Sequence, residues 1–347
     1  MAERTKQVKC VVWDLDTTLW EGTLSEGGGR SLRPGLRESV LELDRRGIVQ
    51  SIASKNDPPA ALRRLRELGL EEYFLCPQIS WNPKPLGLRA VLDALNIKPE
   101  ATAFVDDQPA ERDEMRASEP LVRVYGAEQA ASLPEMPEFQ VRFVTEDASR
   151  RRLMYRADLA RQGAEREFSG SDEQFLATLG MRLAIAPVTE DTLRRVEELT
   201  VRTHQLNSTG CTFSYEELSA LTASPSHIFR ICSLTDRYGD SGHVGLLLME
   251  SGAEALTIRL LIVSCRVMTR GVGTALLAHA TRLAAELGKA LRAEFLETEY
   301  NRIMYITYRL AGFEELEEDG KRLLLEYRRP EPLPYPDYLA VDEPVTV

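Results

Sequence analysis

The sequence predicts an α/β protein of two domains, on three observations. At 347 residues the chain is longer than one core usually serves, so two domains, each burying its own core, is the expectation. In the first third, short apolar runs without period-two alternation are separated by helix-length amphipathic stretches, the mark of parallel strands covered on both faces. From about residue 181 the pattern changes to longer strands, a glycine-rich turn and further helices, a second α/β arrangement.

The elements follow in order. The runs VKCVVW, IVQSIAS and ATAFVDD read as buried strands, and LRESVLELDRRG, PAALRRLRELG and LRAVLDALNI as the helices between them. These make a first domain over residues 1–138. The text then turns to small residues and prolines (SLPEMPEF), and VTEDASRRRLMYRADLARQGAEREF reads as a charged helix within a connector, residues 139–180. MRLAIAPVTEDTLRRVEELTVRTHQ is a strand and a helix that Thr189 or Asp191 can cap. Strands at IFRICSL, HVGLLLME and LTIRLLIVSC precede a glycine turn, a helix to residue 287, a strand at LRAEFLE and a last helix before GF. This second domain spans residues 181–330. The remainder, 331–347, is a proline-rich tail expected to be extended.

Composition narrows the function classes. Hydrophobic content of 43% and charged content of 28% describe a soluble globular protein. No apolar stretch is long enough to span a bilayer, and residues 1–9 lack the apolar centre of a signal peptide, so a cytoplasmic location is expected, with no membrane partner. Cysteines at 10, 76, 211, 232 and 265 form no CxxC pair and are odd in number, which fits reduced thiols. A net charge of -11 argues against nucleic acid as a partner.

The first candidate site lies in CVVWDLDTTLWEG, residues 10–22. Asp14 and Asp16 stand where the first strand leaves the sheet, the place where doubly wound folds bind ligands. Two carboxylates there are costly unless a cation lies between them or one is protonated, and a divalent metal is the natural answer. One aspartate can then attack phosphorus while the other handles the leaving-group proton. Later strand ends add Ser54, a hydroxyl for a phosphoryl oxygen, Lys84, a cation for the same group, and Asp106 with Asp107, a second acidic pair suited to Mg²⁺.

The order DxDxT, Ser, Lys, DD resembles the haloacid dehalogenase (HAD) phosphatase superfamily over residues 8–125. The resemblance implies a Rossmann-like domain with Asp14 as nucleophile and Asp16 as general acid/base. Thr18, Ser54 and Lys84 would serve the phosphate, and Asp14, Asp16, Asp106 and Asp107 would form the acidic set for Mg²⁺. Between Thr18 and the helix near Pro34 stands only WEGTLSEGGGRSLR, too short for a cap domain. A capless site is open and can take a phosphate carried on a bulky group.

The second candidate site lies in LTIRLLIVSCRVMTRGVGTALLAHATRLAAELG. A glycine turn opening a helix, with Gly271 and Gly273, offers backbone N–H groups to an anion, and Arg270 stands beside it. The turn can equally be structural. Cys265 ends the long strand beside Arg266, near Arg270 and a helix start, a setting that favours thiolate; the alternative is a small core residue, the assignment made for Cys10, Cys76 and Cys232. Cys211, in a polar turn, stays undecided. His204 can be a base or an ordinary helix-end histidine, and His243 and His279 are given no role.

With NRIMYITYRLAGF, this half resembles the GNAT N-acyltransferase fold, in which a thioester arm lies where two central strands splay apart. Met268 stands where that family has Gln or Arg. Over nearly the whole chain, the capless HAD domain joined to ELTVRTHQLN, RLLIVSCRVMTRGVG and AEFLETEYNRIMYITYRLAGF resembles the FkbH-like family, whose GNAT-like half needs no acetyl-CoA. That resemblance implies a glyceryltransferase/phosphatase of polyketide biosynthesis. Such enzymes take a 3-phosphoglyceryl group from 1,3-bisphosphoglycerate, remove its phosphate and pass glyceryl to the phosphopantetheine arm of an acyl carrier protein. Cys265 is then the acyl nucleophile, and Arg266, Arg270, Gly271, Gly273 and Asn301 line the acyl or pantetheine site. Arg150 to Arg152 and Arg156, with Arg266 and Arg270, would meet the acidic carrier, or, for the connector arginines, form a solvated helix face. Two rivals are a HAD phosphatase fused to an acetyl-CoA-dependent N-acetyltransferase and a non-catalytic carrier-docking module.

Overall fold

The computed structural model of the protein describes residues 7–27, 29, 31–203 and 205–343. It divides between Leu159 and Ala160 into two units. In the first, strands β1 (Cys10–Trp13), β2 (Val49–Ser54), β3 (Gln78–Ile79), β4 (Thr102–Asp106) and β5 (Arg123–Gly126) pair in parallel in the order β3-β2-β1-β4-β5. Side chains alternate between the faces of a strand, and here both faces are covered. Val11 and Trp13 join Ile52, Ala103 and Val105 in one core; Cys10 and Val12 join Val49, Ala53 and Phe104 in the other. Helices α1 (Leu36–Arg45) and α2 (Pro58–Glu67) close the first face with Leu36, Val40, Leu43, Ala61 and Leu65. On the second face, α3 (Lys84–Leu95) and α4 (Pro109–Ser118) supply Leu88, Val91, Leu92, Leu95 and Met115. Each leucine, valine or methionine among them contributes roughly 1.5–3 kcal/mol when fully buried. The strand order reverses between β1 and β4, so the crevice of this sheet opens at the carboxyl ends of those two strands.

The connector does not stand apart. Helix α5 (Glu146–Ser149) is capped by Thr145, whose hydroxyl accepts from the Ala148 N–H at 3.0 Å. Helix α6 (Arg151–Glu167) begins in the first unit and passes into the second at Leu159. Arg151 is buried and donates to the Gly47 carbonyl at 3.3 Å. Arg152 pairs with Asp44 at 3.0 Å and Glu72 at 3.1 Å and lies 4.6 Å over the Tyr73 ring. These two arginines, expected as docking surface or as a solvated helix face, instead fasten the start of α6 to residues of the first unit.

The second unit holds α7 (Asp172–Thr178), β6 (Met181–Pro187), α8 (Glu190–Arg202), α9 (Tyr215–Ala223), β7 (His227–Asp236), β8 (Gly239–Ser251) and β9 (Ala255–Val263). These lead to α10 (Val272–Glu286), β10 (Ala290–Leu296), α11 (Arg302–Ala311), β11 (Phe313–Asp319), β12 (Arg322–Tyr327) and β13 (Leu339–Asp342). The sheet is eight-stranded, β11-β12-β10-β9-β8-β7-β6-β13. Helices α7, α10 and α11 pack on one face and α8 and α9 on the other. The hairpin β11–β12 has no counterpart among the expected strands, and β8 begins at Gly239, ahead of the expected HVGLLLME run. The tail also departs from expectation. It does not simply run extended: β13 pairs in parallel with β6, Leu339 opposite Met181, and Leu333 and Leu339 are buried. Among the described residues no helix is long and apolar enough to cross a membrane.

Candidate active site

Asp14 follows β1 directly, its N–H donating to the Val105 carbonyl at 2.9 Å, and Asp106 is the last residue of the adjacent β4. The strand-order reversal therefore brings the two carboxylates together. Ser54 ends β2 and donates to Asp14 Oδ1 at 2.9 Å. Lys84, the first residue of α3, is 4% exposed, with its Nζ 2.9 Å from Asp14 Oδ1 and 2.6 Å from Asp106 Oδ2. Thr18 Oγ1 donates to Asp14 Oδ2 at 3.1 Å and accepts from the Asp107 N–H at 3.0 Å. The Gln108 N–H reaches Asp106 Oδ1 at 2.8 Å. Six residues named from sequence thus meet at one place: Asp14, Thr18, Ser54, Lys84, Asp106 and Asp107.

Burial governs their ionisation. It pushes the Asp14 carboxyl up to about 6, against the pull of Lys84. Burial raises Asp106 as well, again opposed by Lys84. For Lys84 burial works against the ammonium, but the two carboxylates more than offset it and its pKa is raised. One lysine between two carboxylates leaves the trio with one unanswered negative charge. Oxygens of Asp14, Asp106 and Asp107 lie within 4.8 Å of one another, an all-oxygen acidic set that fits a hard divalent cation.

Asp16 is not in that set, a departure from its expected place among the metal residues. Its Oδ1 accepts from the Trp20 indole N–H at 2.7 Å and the Leu24 N–H at 3.1 Å. Thr17, between the aspartates, holds a φ of +54°, unusual for a β-branched residue. It is kept there by its hydroxyl, which bonds the Asp16 carbonyl at 2.8 Å and Asp107 Oδ2, and by Arg33, which donates to its carbonyl at 2.9 Å. Sequence reasoning missed Trp20, Arg33 and Arg112; the last donates to the Asp106 and Asp107 carbonyls, each at 2.8 Å. The available signal was Trp20 itself, since a buried indole N–H needs an acceptor and an aspartate stands four residues before it.

In the second unit, Cys265 opens a short turn after β9 and is half-buried. The neighbouring arginines are already engaged. Arg270 is buried, its guanidinium donating to Ser241 Oγ at 3.3 Å and lying 3.8 Å from Asp236, which also pairs with Arg161 at 2.7 Å. Arg266 donates to the Ser241 carbonyl at 3.0 Å. Gly271 caps α10 at a φ of +76°, and a Cβ there would stand 2.8 Å from Tyr338 Oη and 3.2 Å from Pro336. The tail thus lies over the glycine turn expected to receive a phosphate. Gly273, inside α10, has room for a Cβ, with Thr307 and Val263 at 3.7 Å.

Strands β9 and β10 pair only over Ala255–Ile258 with Ala290–Ala293 and then part. Into the gap passes Leu206–Ser208. The Val263 N–H donates to the Leu206 carbonyl at 2.9 Å, the Ser208 N–H to the Leu261 carbonyl at 3.0 Å, and the Leu296 N–H to the Ser208 carbonyl at 3.0 Å. Asn301, expected at an acyl or pantetheine site, is fully buried beneath this insert. Its Nδ2 donates to the carbonyls of Asn207 at 3.1 Å and Leu296 at 2.9 Å, and its Oδ1 accepts from the Thr298 N–H at 2.9 Å. That side chain fastens the insert, both its amide hydrogens are engaged, and its burial leaves it out of reach of an arm. Cys211 is exposed, Cys10 and Cys232 are buried, and Cys76 is half-buried. His204 lies outside the described residues.

A family model described as haloacid dehalogenase-like hydrolase matches residues 25–117, a span that holds Ser54, Lys84, Asp106 and Asp107 but begins after Asp14 and Asp16. A search of curated proteins returned no match. Among solved structures, the N-terminal part of BF1531 from Bacteroides fragilis, described as containing a phosphatase domain complexed with Mg, is 28% identical with a TM-score of 0.32 and covers 38% of this chain. The chain in turn spans 38% of that structure's length. PaiA N-acetyltransferase from Thermoplasma acidophilum, in complex with coenzyme A, is 15% identical, covers 42% of this chain and 99% of its own, and has a TM-score of 0.36. The ribosomal-protein-S18-alanine N-acetyltransferase from Escherichia coli is 16% identical, covers 42% and 90%, and has a TM-score of 0.33. The parallel sheet with its family match, followed by the mixed sheet with parted central strands, makes this an α/β chain with an N-terminal HAD-like domain and a C-terminal GNAT-like fold.

Proposed function

We propose that the protein is a bifunctional glyceryltransferase and phosphatase: it takes a 3-phosphoglyceryl group from 1,3-bisphosphoglycerate, removes the phosphate and delivers glyceryl to an acyl carrier protein. The observation that carries the phosphatase half is the meeting of Asp14, Asp106 and Asp107 with Ser54 and Lys84 at the strand-order reversal. Asp14, Asp106 and Asp107 are the residues to hold Mg²⁺, which when bound neutralises charge and polarises a phosphoryl oxygen. Ser54 and Lys84, which now satisfy the carboxylates, transfer their donors to the arriving phosphate. An Asp14 oxygen attacks phosphorus, the bond from phosphorus to the ester oxygen breaks, and that oxygen leaves with the electron pair and a proton from Asp16. Water then attacks the aspartyl phosphate, its proton returning to Asp16, and Asp14 is regenerated as carboxylate.

In the second unit, the Cys265 thiolate attacks the acyl phosphate carbonyl, the carbon–oxygen bond to phosphate breaks and a thioester remains. The carrier's pantetheine thiol then displaces Cys265. Two features favour this over an acetyl-CoA-dependent reaction: Met268 stands where acetyl-CoA-dependent enzymes of this fold have Gln or Arg, and a cysteine, Cys265, follows the long strand β9. Intact-protein mass spectrometry after addition of 1,3-bisphosphoglycerate tests the reading. The expected product is a hydroxylamine-sensitive glyceryl adduct, carrying phosphate when metal is chelated; absence of any adduct overturns it.

A further inference from the structure

We infer that Trp20 and the Leu24 N–H are positioning groups that fix which oxygen of Asp16 exchanges its proton with the leaving group. This rests on the phosphatase reading of Asp14 and Asp16. Asp16 Oδ1 holds both donors, the indole at 2.7 Å and the backbone at 3.1 Å. Both donors fall on that one oxygen, Oδ2 accepts no hydrogen bond among the described residues, and Asp16 itself is half-buried. Two donors on one oxygen stop rotation of the carboxyl group and leave Oδ2 to carry the transferable proton.

The holder is itself rigid. Trp20 is fully buried, its main chain bridges to both Asp16 and Leu32, and its backbone N–H donates to the Leu15 carbonyl at 3.2 Å. Gly29 closes over it at a φ of +73°, where any Cβ would press on Nε1 at 3.2 Å. Leu24 opens a short 3-10 turn after Thr23. The short stretch that stands in place of a cap domain therefore has its own task, which is to aim Asp16. In the first step the ester oxygen departs from phosphorus with the bonding pair and takes the Oδ2 proton; in the second, water gives one of its own protons to Oδ2 as its oxygen bonds to phosphorus and the bond from phosphorus to Asp14 breaks.

Trp20→Phe deletes the side-chain donor and keeps an aromatic ring. Leu24→Pro deletes the backbone donor at a first helical position, where proline is accepted. The assay is kcat/KM with Mg²⁺ for an alkyl phosphate, whose alkoxide needs a proton to leave, and for p-nitrophenyl phosphate, whose phenolate does not. Each variant should lose on the order of 10- to 100-fold on the alkyl ester and little on the aryl ester. Equal loss on both esters, or no loss, overturns the inference while the phosphatase reading stands. A wild-type protein that hydrolyses neither ester overturns both. The thermal midpoint of each variant separates lost packing from lost aim, because packing alone does not alter the preference between leaving groups.

Discussion

Replacing Lys84 with methionine removes one positive charge from between two buried carboxylates and keeps most of the side-chain volume. The Lys84, Asp14 and Asp106 side chains are 3%, 4% and 0% exposed, and Nζ sits 2.9 and 2.6 Å from the two oxygens. At those separations each pair is worth about 6 kcal/mol for an effective dielectric of about 20. Desolvation of three charged groups and repulsion between the carboxylates remove much of that, and breaking a buried pair by deleting one partner costs about 3–5 kcal/mol in practice. For a unit of this size the loss corresponds to about 6–20 °C in Tm. Trp13, Trp20 and Trp81 are the only tryptophans and all lie in the first unit, so tryptophan fluorescence reports that unit's unfolding alone. The deficit should widen as pH rises. Burial holds the folded pKa of Asp14 and Asp106 above their unfolded values, and a group so raised contributes stability at low pH that is lost as pH climbs through the folded value. Millimolar Mg²⁺ should restore more of the variant's Tm than of the wild type's, since a cation refills the gap. A Lys84→Met protein that melts in EDTA at pH 8 within about 2 °C of wild type, below the smallest shift worked out above, would refute the reasoning.

Asp14→Asn should cut phosphate release on the order of 10³-fold or more while acyl loading continues, so a phosphoglyceryl adduct accumulates in the mass spectrum; release at the wild-type rate would remove Asp14 as nucleophile. Cys265→Ala should abolish the hydroxylamine-sensitive adduct yet leave hydrolysis of a phosphoglyceryl thioester supplied on a small thiol, and an adduct that persists would move the nucleophile to the exposed Cys211. His279 is buried, its Nδ1 3.6 Å from Glu343 Oε1, and burial lowers its pKa, with Glu343 and Glu286 opposing and Arg230 acting in the same sense as burial. A group so depressed contributes stability above its unfolded pKa of about 6.5 that is lost as pH falls through the folded value; the protection of the α10 amides relative to their intrinsic exchange rate at each pH should fall on acidification in wild type and less in His279→Leu, and coincident profiles would contradict this.

The first unit was legible because its signals are local. An apolar run without alternation specifies a strand covered on both faces, and a residue at the end of such a strand must project from the sheet's carboxyl edge. Asp14, Ser54 and Asp106 could therefore be placed together from sequence. The same logic does not give the lysine's partners: that Lys84 bridges both carboxylates depends on where α3 starts relative to β1 and β4. The second unit was legible as a class and less so in detail. Nothing in QLNS marks three residues that enter a gap between strands, because their partners are main-chain groups some 55 to 90 positions away. Asn301 carries no sign that its amide is used up by those carbonyls. The prolines at 330, 332, 334 and 336 point to an extended tail and conceal the four residues after Tyr338 that complete the sheet.

That tail has a consequence for handling the protein. It runs back along α10, with the Leu333 N–H on Thr281 Oγ1 at 3.0 Å, the Tyr335 ring under Arg282 at 4.6 Å and Tyr338 against Gly271, before β13 covers the outer side of β6. A truncation at Pro330 would strip β6 of its neighbour and leave a bare strand edge ready to pair with another copy. Because the segment binds through its own short set of anchors, it can also be supplied separately: a synthetic peptide of residues 331–347, labelled with a fluorophore, would make the shortened protein a reporter of its own reassembly.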